Sequence, residues 1–407
     1  MPTSRPVISI RLPAVLFVSG CPVEGELELD FRGLQRDNIQ EVHVKLRGSA
    51  KTEMSRNNST RMNCIYLVRD DASVWARGTV YPPPGSDIIR LPFRLQLPPG
   101  LPPSFYYSAR PATASVIYSL TAVGVRPGAF KSNRRIQQPL AVVQRDDVGA
   151  NVREQLAALA VTGAEPPWRT EAKEKKMRRG MWGDYATVNV QWSIPNMSPL
   201  PLFVPIPFMI RIDTTSPPIT RAKADAHPPD KPIFPPPPSS YSMLEFKLVQ
   251  DLFLRAQWYT NTPSTDFNVF TLAPGVTADM DVAEKEWIWV EGEGSDSNDG
   301  LVQNPDAKGV WVQSATFRGT FQLSCPPTFV LDDIIVCGYH LALKVPFPGV
   351  GNDVKMVVPI NVGSGINAPL VAARPGSSAP ATAPPRVLDL PPLYWDADRR
   401  HWHDHRD

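Results

Sequence analysis

Residues 41–47 have the sequence Glu-Val-His-Val-Lys-Leu-Arg, in which the apolar side chains occupy every second position. Successive side chains of a β-strand point to opposite faces of a sheet, so this alternation buries one face and leaves the other in water. Residues 26–31 and 91–97 alternate in the same way. The pattern predicts half-exposed antiparallel strands, because the strands of a parallel sheet are covered on both faces and are apolar throughout.

Further alternating stretches extend this prediction to both halves of the chain. The first half adds strands at 7–12, 115–125 and 140–143. The second half contains predicted strands at 186–192, 204–212, 244–248, 252–258, 286–291, 310–323, 329–336, 339–345 and 354–362. The predicted fold class is therefore all-β, with two tandem antiparallel immunoglobulin-like β-sandwiches.

Changes of composition set the predicted domain boundaries. Residues 1–146 form the first sandwich and residues 181–363 the second. Residues 147–180 are predicted as a basic interdomain linker that includes a short helix at 152–161. Beyond residue 363 the alternation ends and Ala, Pro and Ser dominate, which predicts a disordered C-terminal tail at 364–407.

The overall composition excludes several classes of protein. The 407 residues include 46 prolines, roughly twice the usual share, and proline is tolerated in turns, loops and tails but breaks helices. Two polar stretches, 214–240 and 292–308, are predicted as mobile loops. The net charge of +2 provides no overall field that would attract nucleic acid. No stretch approaches the roughly 20 apolar residues of a membrane span.

The four cysteines are too widely spaced to indicate a zinc ribbon or a disulfide scaffold. They form no CxxC pair and lie at Cys21, Cys64, Cys325 and Cys337. Reduced, buried thiols of a cytosolic protein are therefore expected.

The sequence predicts no enzyme, no cofactor and no bound metal. It contains no GxSxG, no HExxH and no glycine-rich phosphate loop. His43 and His340 occupy polar positions of predicted strands, where we expect ordinary surface histidines. Residues 296–300 resemble the start of a calcium loop, but the glycine comes fifth instead of sixth. The alternating His401, His403 and His405 are of a metal-ligating type, in a pattern attributed to chance.

Six basic residues lie close together at the end of the predicted linker. They are Arg169, Lys173, Lys175, Lys176, Arg178 and Arg179. Each such charge near an anionic membrane surface contributes about 1 kcal/mol of attraction. Two interpretations remain open: contact with anionic lipid headgroups, and a run of charges that only faces water.

The tail contains one short motif with a defined binding mechanism, the PPxY sequence Pro391-Pro392-Leu393-Tyr394. A proline pair favours the extended polyproline II conformation, so a WW domain binds the two rings between aromatic side chains at low entropic cost. The tyrosine fills a second pocket, and Leu393 is a spacer. These four residues are the predicted WW-domain-binding site; the alternative is a proline stop after the last strand.

Several segments of the first half occur in a characteristic order. They are Phe-Val-Ser-Gly at 17–20, Val-Glu-Gly-Glu-Leu at 23–27, Val-His-Val-Lys-Leu-Arg-Gly at 42–48, Leu-Pro-Phe-Arg-Leu-Gln-Leu-Pro at 91–98, Leu-Pro-Pro-Ser-Phe at 101–105 and Ile-Tyr-Ser-Leu at 117–120. With the PPxY tail, this order resembles the arrestin-like family, specifically the α-arrestins (arrestin-related trafficking adaptors) of fungal type. The second half resembles the family only in strand pattern and position.

The resemblance implies a non-catalytic adaptor that binds cytosolic segments of membrane transporters or receptors. Through Pro391, Pro392 and Tyr394 it would recruit a WW-domain HECT-type ubiquitin ligase, which leads to ubiquitin-dependent endocytosis and sorting of the cargo. The implied location is the cytoplasm, peripherally at the plasma membrane and endosomes. Many members have several PPxY motifs, so the single motif here excludes avidity from a second one on the same chain.

A secreted or lipid-anchored β-sandwich binding module is the alternative function. Arg5 and Arg11 precede the apolar residues 12–18, and Val18-Ser19-Gly20-Cys21 resembles a bacterial lipoprotein cleavage site. Pro13 interrupts the apolar run, which favours the cytosolic adaptor. Cleavage before Cys21 would distinguish the two hypotheses.

Overall fold

The computed structural model describes residues 6–128, 131–178, 184–226, 234–268, 278–290 and 308–371. Within these ranges the protein consists mostly of β-strands, which confirms the all-β prediction at the level of fold class. The helices are α1 (Phe31–Arg36), α2 (Asp147–Thr162), α3 (Arg221–Asp225) and a 3-10 turn at Tyr241–Met243.

The strands before α2 belong to the first half of the chain. In chain order they are β1 (Ile8–Arg11), β2 (Ala14–Val18), β3 (Pro22–Asp30), β4 (Glu41–Arg56), β5 (Ser59–Ala76), β6 (Ile88–Gln96), β7 (Phe105–Ala109), β8 (Ala112–Val125), β9 (Arg134–Leu140) and β10 (Val142–Val143).

The strands after α2 follow in the second half. They are β11 (Trp168–Arg178), β12 (Tyr185–Pro195), β13 (Leu200–Pro201), β14 (Ile206–Thr215), β15 (Ile219–Thr220), β16 (Glu245–Ala256), β17 (Tyr259–Asn261), β18 (Ser264–Asn268), β19 (Ala278–Val282), β20 (Glu286–Trp289), β21 (Lys308–Phe321), β22 (Phe329–Leu331), β23 (Ile335–Val345), β24 (Val354–Ile360), β25 (Val362–Gly363) and β26 (Leu370–Val371).

The first half is sandwich-like, with two antiparallel sheets that share one core. One sheet has the strand order β1-β3-β6, and the other has the order β5-β4-β8-β7, with β9 also paired to β8. Leu27 and Leu29 of the first sheet and Val44 and Leu46 of the second are fully buried in one continuous cluster. Because each such side chain gains about 1.5–3 kcal/mol on burial, the alternation seen in the sequence fixes which face of each sheet turns inward.

The second half also contains two large sheets. One has the order β11-β12-β14-β21, with β15, β19 and β20 paired to β21; the other has the order β17-β16-β23-β22, with β18 and β24 attached. Trp192 of β12 packs edge-to-face on Phe246 of β16 at a ring separation of 5.3 Å, and Phe208 lies 5.2 Å from the same ring. These aromatic contacts join the two sheets, since the three side chains are nearly or fully buried.

The two halves are in direct contact. Phe105 packs edge-to-face on Phe329 of the second half, with ring centroids 5.4 Å apart. The buried Thr52 donates its hydroxyl hydrogen to the carbonyl oxygen of Arg255 at 2.6 Å. Residues 101–105, the Leu-Pro-Pro-Ser-Phe turn, are all buried, and the hydroxyl of Tyr118 donates to the carbonyl oxygen of Pro102 within it. This turn therefore lies at the junction between the halves.

Residues 147–180 differ from the predicted linker. The helix predicted at 152–161 is present as the longer α2, and residues 168–178 form β11, paired with β12 along its whole length. Charged residues dominate β11, so it has little apolar alternation, and its membership of the sheet depends on pairing with the strongly alternating β12. The basic residues thus belong to the second sheet system and not to a free connector.

Three smaller expectations also need correction. Residues 364–371, predicted as the start of a disordered tail, are described; Ile366 is 4% exposed and Leu370 and Val371 form β26. The strand β16 is continuous where two strands were predicted, at 244–248 and 252–258. All four cysteines are free thiols, but only Cys337 is buried and Cys64 is exposed.

Two strand glycines provide a test of core packing. A Cβ atom on Gly48 of β4 would lie 2.6 Å from the ring of Tyr118 and 2.7 Å from Val68, whereas a Cβ atom on Gly338 of β23 would meet nothing within 4 Å. We predict that Gly48→Ala lowers the free energy of unfolding by about 1–3 kcal/mol. Gly338→Ala should not lower it, and urea titration followed by tryptophan fluorescence measures both. Equal effects of the two substitutions would contradict the packing described.

Candidate functional site

The predicted WW-binding residues Pro391, Pro392, Leu393 and Tyr394 lie outside the described residues, which end at Val371. The structure instead shows how the chain is held where it leads into this segment. Leu370 of β26 lies opposite Leu16 of β2, and β2 pairs in parallel with β10. The last described strand of the second half is therefore part of a small sheet in the first half.

A half-buried arginine holds the segment before β26. The Nε of Arg153, on α2, donates to the carbonyl oxygen of Gly365 at 2.8 Å. One terminal nitrogen of the same guanidinium donates to Leu202 at 2.9 Å and to Ser364 at 3.3 Å. Burial lowers the pKa of Arg153, while the nearby carboxylate of Asp146 acts in the opposite direction. The planar array of donors of the guanidinium thus bonds to three backbone carbonyl oxygens.

Asp146 completes this arrangement from the N-terminus of α2. One carboxylate oxygen accepts the N–H of Gly149 at 2.7 Å and caps the helix, and the other accepts the N–H of Gly365 at 2.9 Å. The hydroxyl of Ser364 donates to the carbonyl oxygen of Gln144 at 2.8 Å. A Cβ atom on Gly363 would lie 2.2 Å from Asp146, so only glycine permits this approach. We name Asp146, Arg153, Ser364 and Gly365 the C-terminal clasp.

The sequence contained a signal for only one member of the clasp. An aspartate three residues before Gly149 is a typical helix N-cap. Arg153 had no such signal, because its carbonyl partners lie 49, 211 and 212 residues away. The clasp makes no covalent chemistry available; it fixes the position of residues 364 and 365, close to the last described strand.

We predict that Arg153→Met lowers the free energy of unfolding by about 2–4 kcal/mol, because three buried carbonyl groups lose a charged donor. Arg145→Gln is the matched control, since Arg145 pairs with Asp147 at the surface, where an ion pair contributes at most about 1 kcal/mol. Hydrogen exchange should also accelerate at the amides of Gly365 and Ile366 in the Met variant alone. Equal stability of both variants would contradict the role of the clasp.

Some basic side chains of β11 contact the other large sheet of the second half, and others point to solvent. Arg169 pairs with Glu171 at 2.9 Å and reaches the carbonyl oxygen of Pro359 at 3.4 Å. The Nζ of Lys173 donates to the carbonyl oxygen of Lys355 at 2.8 Å. These side chains therefore attach β11 to β24 of the other sheet.

The remaining basic residues also differ in their contacts. The Nζ of Lys175 donates to the carbonyl oxygens of Gly351 at 2.6 Å and Asp353 at 2.8 Å. Lys176 is exposed, and the guanidinium of Arg178 lies 4.2 Å from the ring centroid of Tyr185. Arg179 lies outside the described residues. Contact with anionic lipid stays a prediction, and Arg169, Lys173 and Lys175 have a structural role besides.

Adjacent lysines of β11 test this division. Lys175→Met removes two bonds to backbone carbonyls, so we predict that it lowers the free energy of unfolding by about 1 kcal/mol. Lys176→Met removes the same charge from an exposed position and should change stability by less than about 0.5 kcal/mol. Thermal unfolding in parallel measures both. A larger loss for Lys176→Met would mean that the outward face of β11 stabilises the protein.

The strand histidines have carboxylate partners. His43 lies 3.2 Å from Glu41, and the Nδ1 of His340 lies 2.6 Å from Asp251. The hydroxyl of Ser264 donates to the other oxygen of Asp251 at 2.6 Å. A nucleophilic serine is activated by hydrogen bonding to the imidazole, and Ser264 bonds to the carboxylate instead. These three residues therefore do not form a Ser-His-Asp triad.

Two candidate metal-binding patterns of the sequence lie outside the described residues. They are residues 296–300 and the alternating histidines at 401–405. Within the described ranges, no group of three or more His, Cys, Asp or Glu side chains is arranged to hold a metal ion. Likewise, none of the helices described there is long and apolar enough to cross a membrane.

No protein-family model matches this chain, and no curated protein matches its sequence.

Proposed function

We propose that this protein is a non-catalytic arrestin-like adaptor that recruits a WW-domain HECT-type ubiquitin ligase through its PPxY motif. The observation on which the proposal rests is the single Pro391-Pro392-Leu393-Tyr394 sequence, which follows the last described strand in the chain. A proline pair followed by a spaced tyrosine is the sequence that a WW domain binds. The adaptor acts by proximity, since it brings a ligase and a cargo together without chemistry of its own.

The C-terminal clasp supports this proposal because it gives the motif a fixed origin. Pro391 follows Val371 by 20 residues, and a chain of that length spans at most about 72 Å in any conformation. A ligase bound at Tyr394 is therefore confined to a limited volume around the two halves. Such confinement raises the effective concentration of the ligase at any cargo held by the folded part.

The finer fold assignment, two tandem arrestin-like sandwiches, is part of the proposal. Its support is the pair of sheets in each half and the contact of the Leu-Pro-Pro-Ser-Phe turn, one of the segments that carry the resemblance, with the second half. The buried Ser104 of this turn accepts a hydrogen bond from the backbone N–H of Val142 at 3.0 Å. Its hydroxyl donates to the carbonyl oxygen of Leu140 at 3.3 Å. The proposed cargo is the cytosolic part of a membrane transporter or receptor, at the plasma membrane and endosomes.

The burial of the N-terminal strands argues against the secreted or lipid-anchored alternative. Leu16, Phe17 and Val18 are at most 3% exposed, and β2 pairs with both β10 and β26. Cleavage before Cys21 would remove β1 and β2 and leave the partners of both strands unpaired. The cytosolic adaptor requires no such loss.

The full-length chain and its Tyr394→Ala variant test the proposal in a titration with tandem WW domains of a HECT ligase. We predict that the variant binds at least about tenfold more weakly, which corresponds to about 1.4 kcal/mol. Thermal unfolding should be unchanged, because the motif lies after the last described strand. Leu393→Ala is the matched control, and as a change at the spacer position it should leave binding intact. Equal binding by the Tyr394→Ala variant and the natural chain would refute ligase recruitment by this motif.

A further inference from the structure

The outer edge of the sheet that contains β21 is formed by β19 and β20. Both strands pair with β21 and, among the residues that the structure describes, with no strand on their other side. An unpaired edge presents backbone N–H and C=O groups to which a further strand can bind. We name residues 278–290 the tryptophan edge.

The hydrogen bonds to β21 determine which backbone groups of the tryptophan edge point outward. Val290 donates its N–H to the carbonyl oxygen of Lys308 at 3.1 Å, and Ala283 donates to Ser314 at 2.9 Å. Hydrogen-bonded and non-hydrogen-bonded residue pairs alternate along an antiparallel pair of strands. By this alternation, the backbone polar groups that face away from β21 are those of Met280, Val282, Trp287 and Trp289.

The side chains of this edge are unusually apolar for an exposed strand. The ring of Trp287 lies 5.2 Å from that of Trp311 and 5.8 Å from that of Trp289, and it covers Gly309, which has no side chain to displace it. Trp289 is 42% exposed and Ile288, on the opposite face of the strand, is 44% exposed. Both faces therefore offer apolar contact area to an added strand.

The charge of the edge restricts what binds to it. The exposed carboxylates of the tryptophan edge outnumber its one lysine, Lys285, and belong to Asp279, Asp281, Glu284 and Glu286. The tryptophan rings already accept cations, since the guanidinium of Arg221 lies 5.6 Å from the ring of Trp287 and the ammonium of Lys285 lies 5.3 Å from that of Trp311. Glu286 alternates with Trp287, so it lies on the face of β20 that carries Ile288, opposite the tryptophan rings. The carboxylates favour Lys and Arg side chains and repel anionic lipid.

We propose that the tryptophan edge binds an extended, Lys- or Arg-rich segment of a partner protein, which adds to the sheet as a further strand. The backbone groups of Trp287 and Trp289 bond to the added strand, the carboxylates bind its cationic side chains, and the tryptophan rings cover its apolar positions. The carboxylates also disfavour pairing with the same edge of a second copy, because like charges would then face each other. This binding is independent of the PPxY motif and requires no ligase.

The first experiment measures the binding of a fluorescein-labelled octapeptide of alternating Lys and Val to the full-length chain by anisotropy. We predict that it binds at least about tenfold more tightly than the matching Glu/Val octapeptide, and that salt weakens the binding. Absence of binding by the Lys/Val peptide, or equal binding by both peptides, would overturn the proposal.

Two substitutions in the tryptophan edge and one control substitution elsewhere in the sheet locate the binding surface. Glu286→Lys should weaken binding of the Lys/Val peptide by at least about fivefold, and Trp289→Ala should weaken it as well. Glu174→Lys, an identical charge change at an exposed position of β11, the opposite edge of the same sheet, should leave it unchanged. Equal weakening by Glu286→Lys and Glu174→Lys would mean that only the net charge of the protein affects binding. It would contradict specific binding at the tryptophan edge.

Alternate N-methylation of the peptide tests strand addition itself. In an added strand every second N–H points to the tryptophan edge, so methylation of one set of alternate amides should abolish binding and methylation of the other set should not. Tolerance of both sets would exclude strand addition. A different result would be that the chain does not bind the peptide but self-associates, and that Trp289→Ala abolishes the self-association. The edge would then bind a second copy, and the proposal would be overturned.

Discussion

The guanidinium of Arg153 connects three parts of the protein that are remote in sequence. It extends from the helix between the halves and satisfies carbonyl oxygens at Leu202, Ser364 and Gly365. The position of Gly365 in turn places β26 beside β2, so the last described strand of the second half joins a sheet of the first half. A half-buried arginine whose described hydrogen bonds all go to backbone oxygens is costly to remove, because those oxygens lose a charged donor.

The two edges of the large second-half sheet are managed in opposite ways. At β11 the lysines line the edge strand, and Lys173 and Lys175 donate to carbonyl oxygens of the neighbouring sheet, which covers that side. At β20 the edge is apolar and tryptophan-rich, and in residues 278–290 four carboxylates outnumber one lysine. Charged edges resist unwanted pairing, whereas an apolar edge with an excess of one charge favours a partner of the opposite sign.

Alternation of apolar side chains predicted many of the strands, but not all of them. The alternation at 41–47 lies within β4, and the stretches at 26–31 and 91–97 overlap β3 and β6. β11 was missed because Met177 is its one buried residue, so the strand has no apolar face that a sequence pattern could show. Its pairing with β12 holds it in the sheet. The clasp was not predicted, because its contacts join residues remote in the chain. The edge strand β19 was missed although its apolar residues alternate with Asp279 and Asp281.

By itself the sequence determined the all-β class, the inward face of most strands and the presence of one PPxY motif, because each depends on neighbouring residues at a fixed spacing. Only the tertiary structure decided which carbonyl oxygens Arg153 binds, which basic residues of β11 attach it to β24, and which of the described strands form the edges of the sheet. Every residue except proline has the same backbone N–H and C=O groups, so no local pattern specifies which distant ones will meet. Those contacts arise only when strands far apart in the chain are packed around a common core.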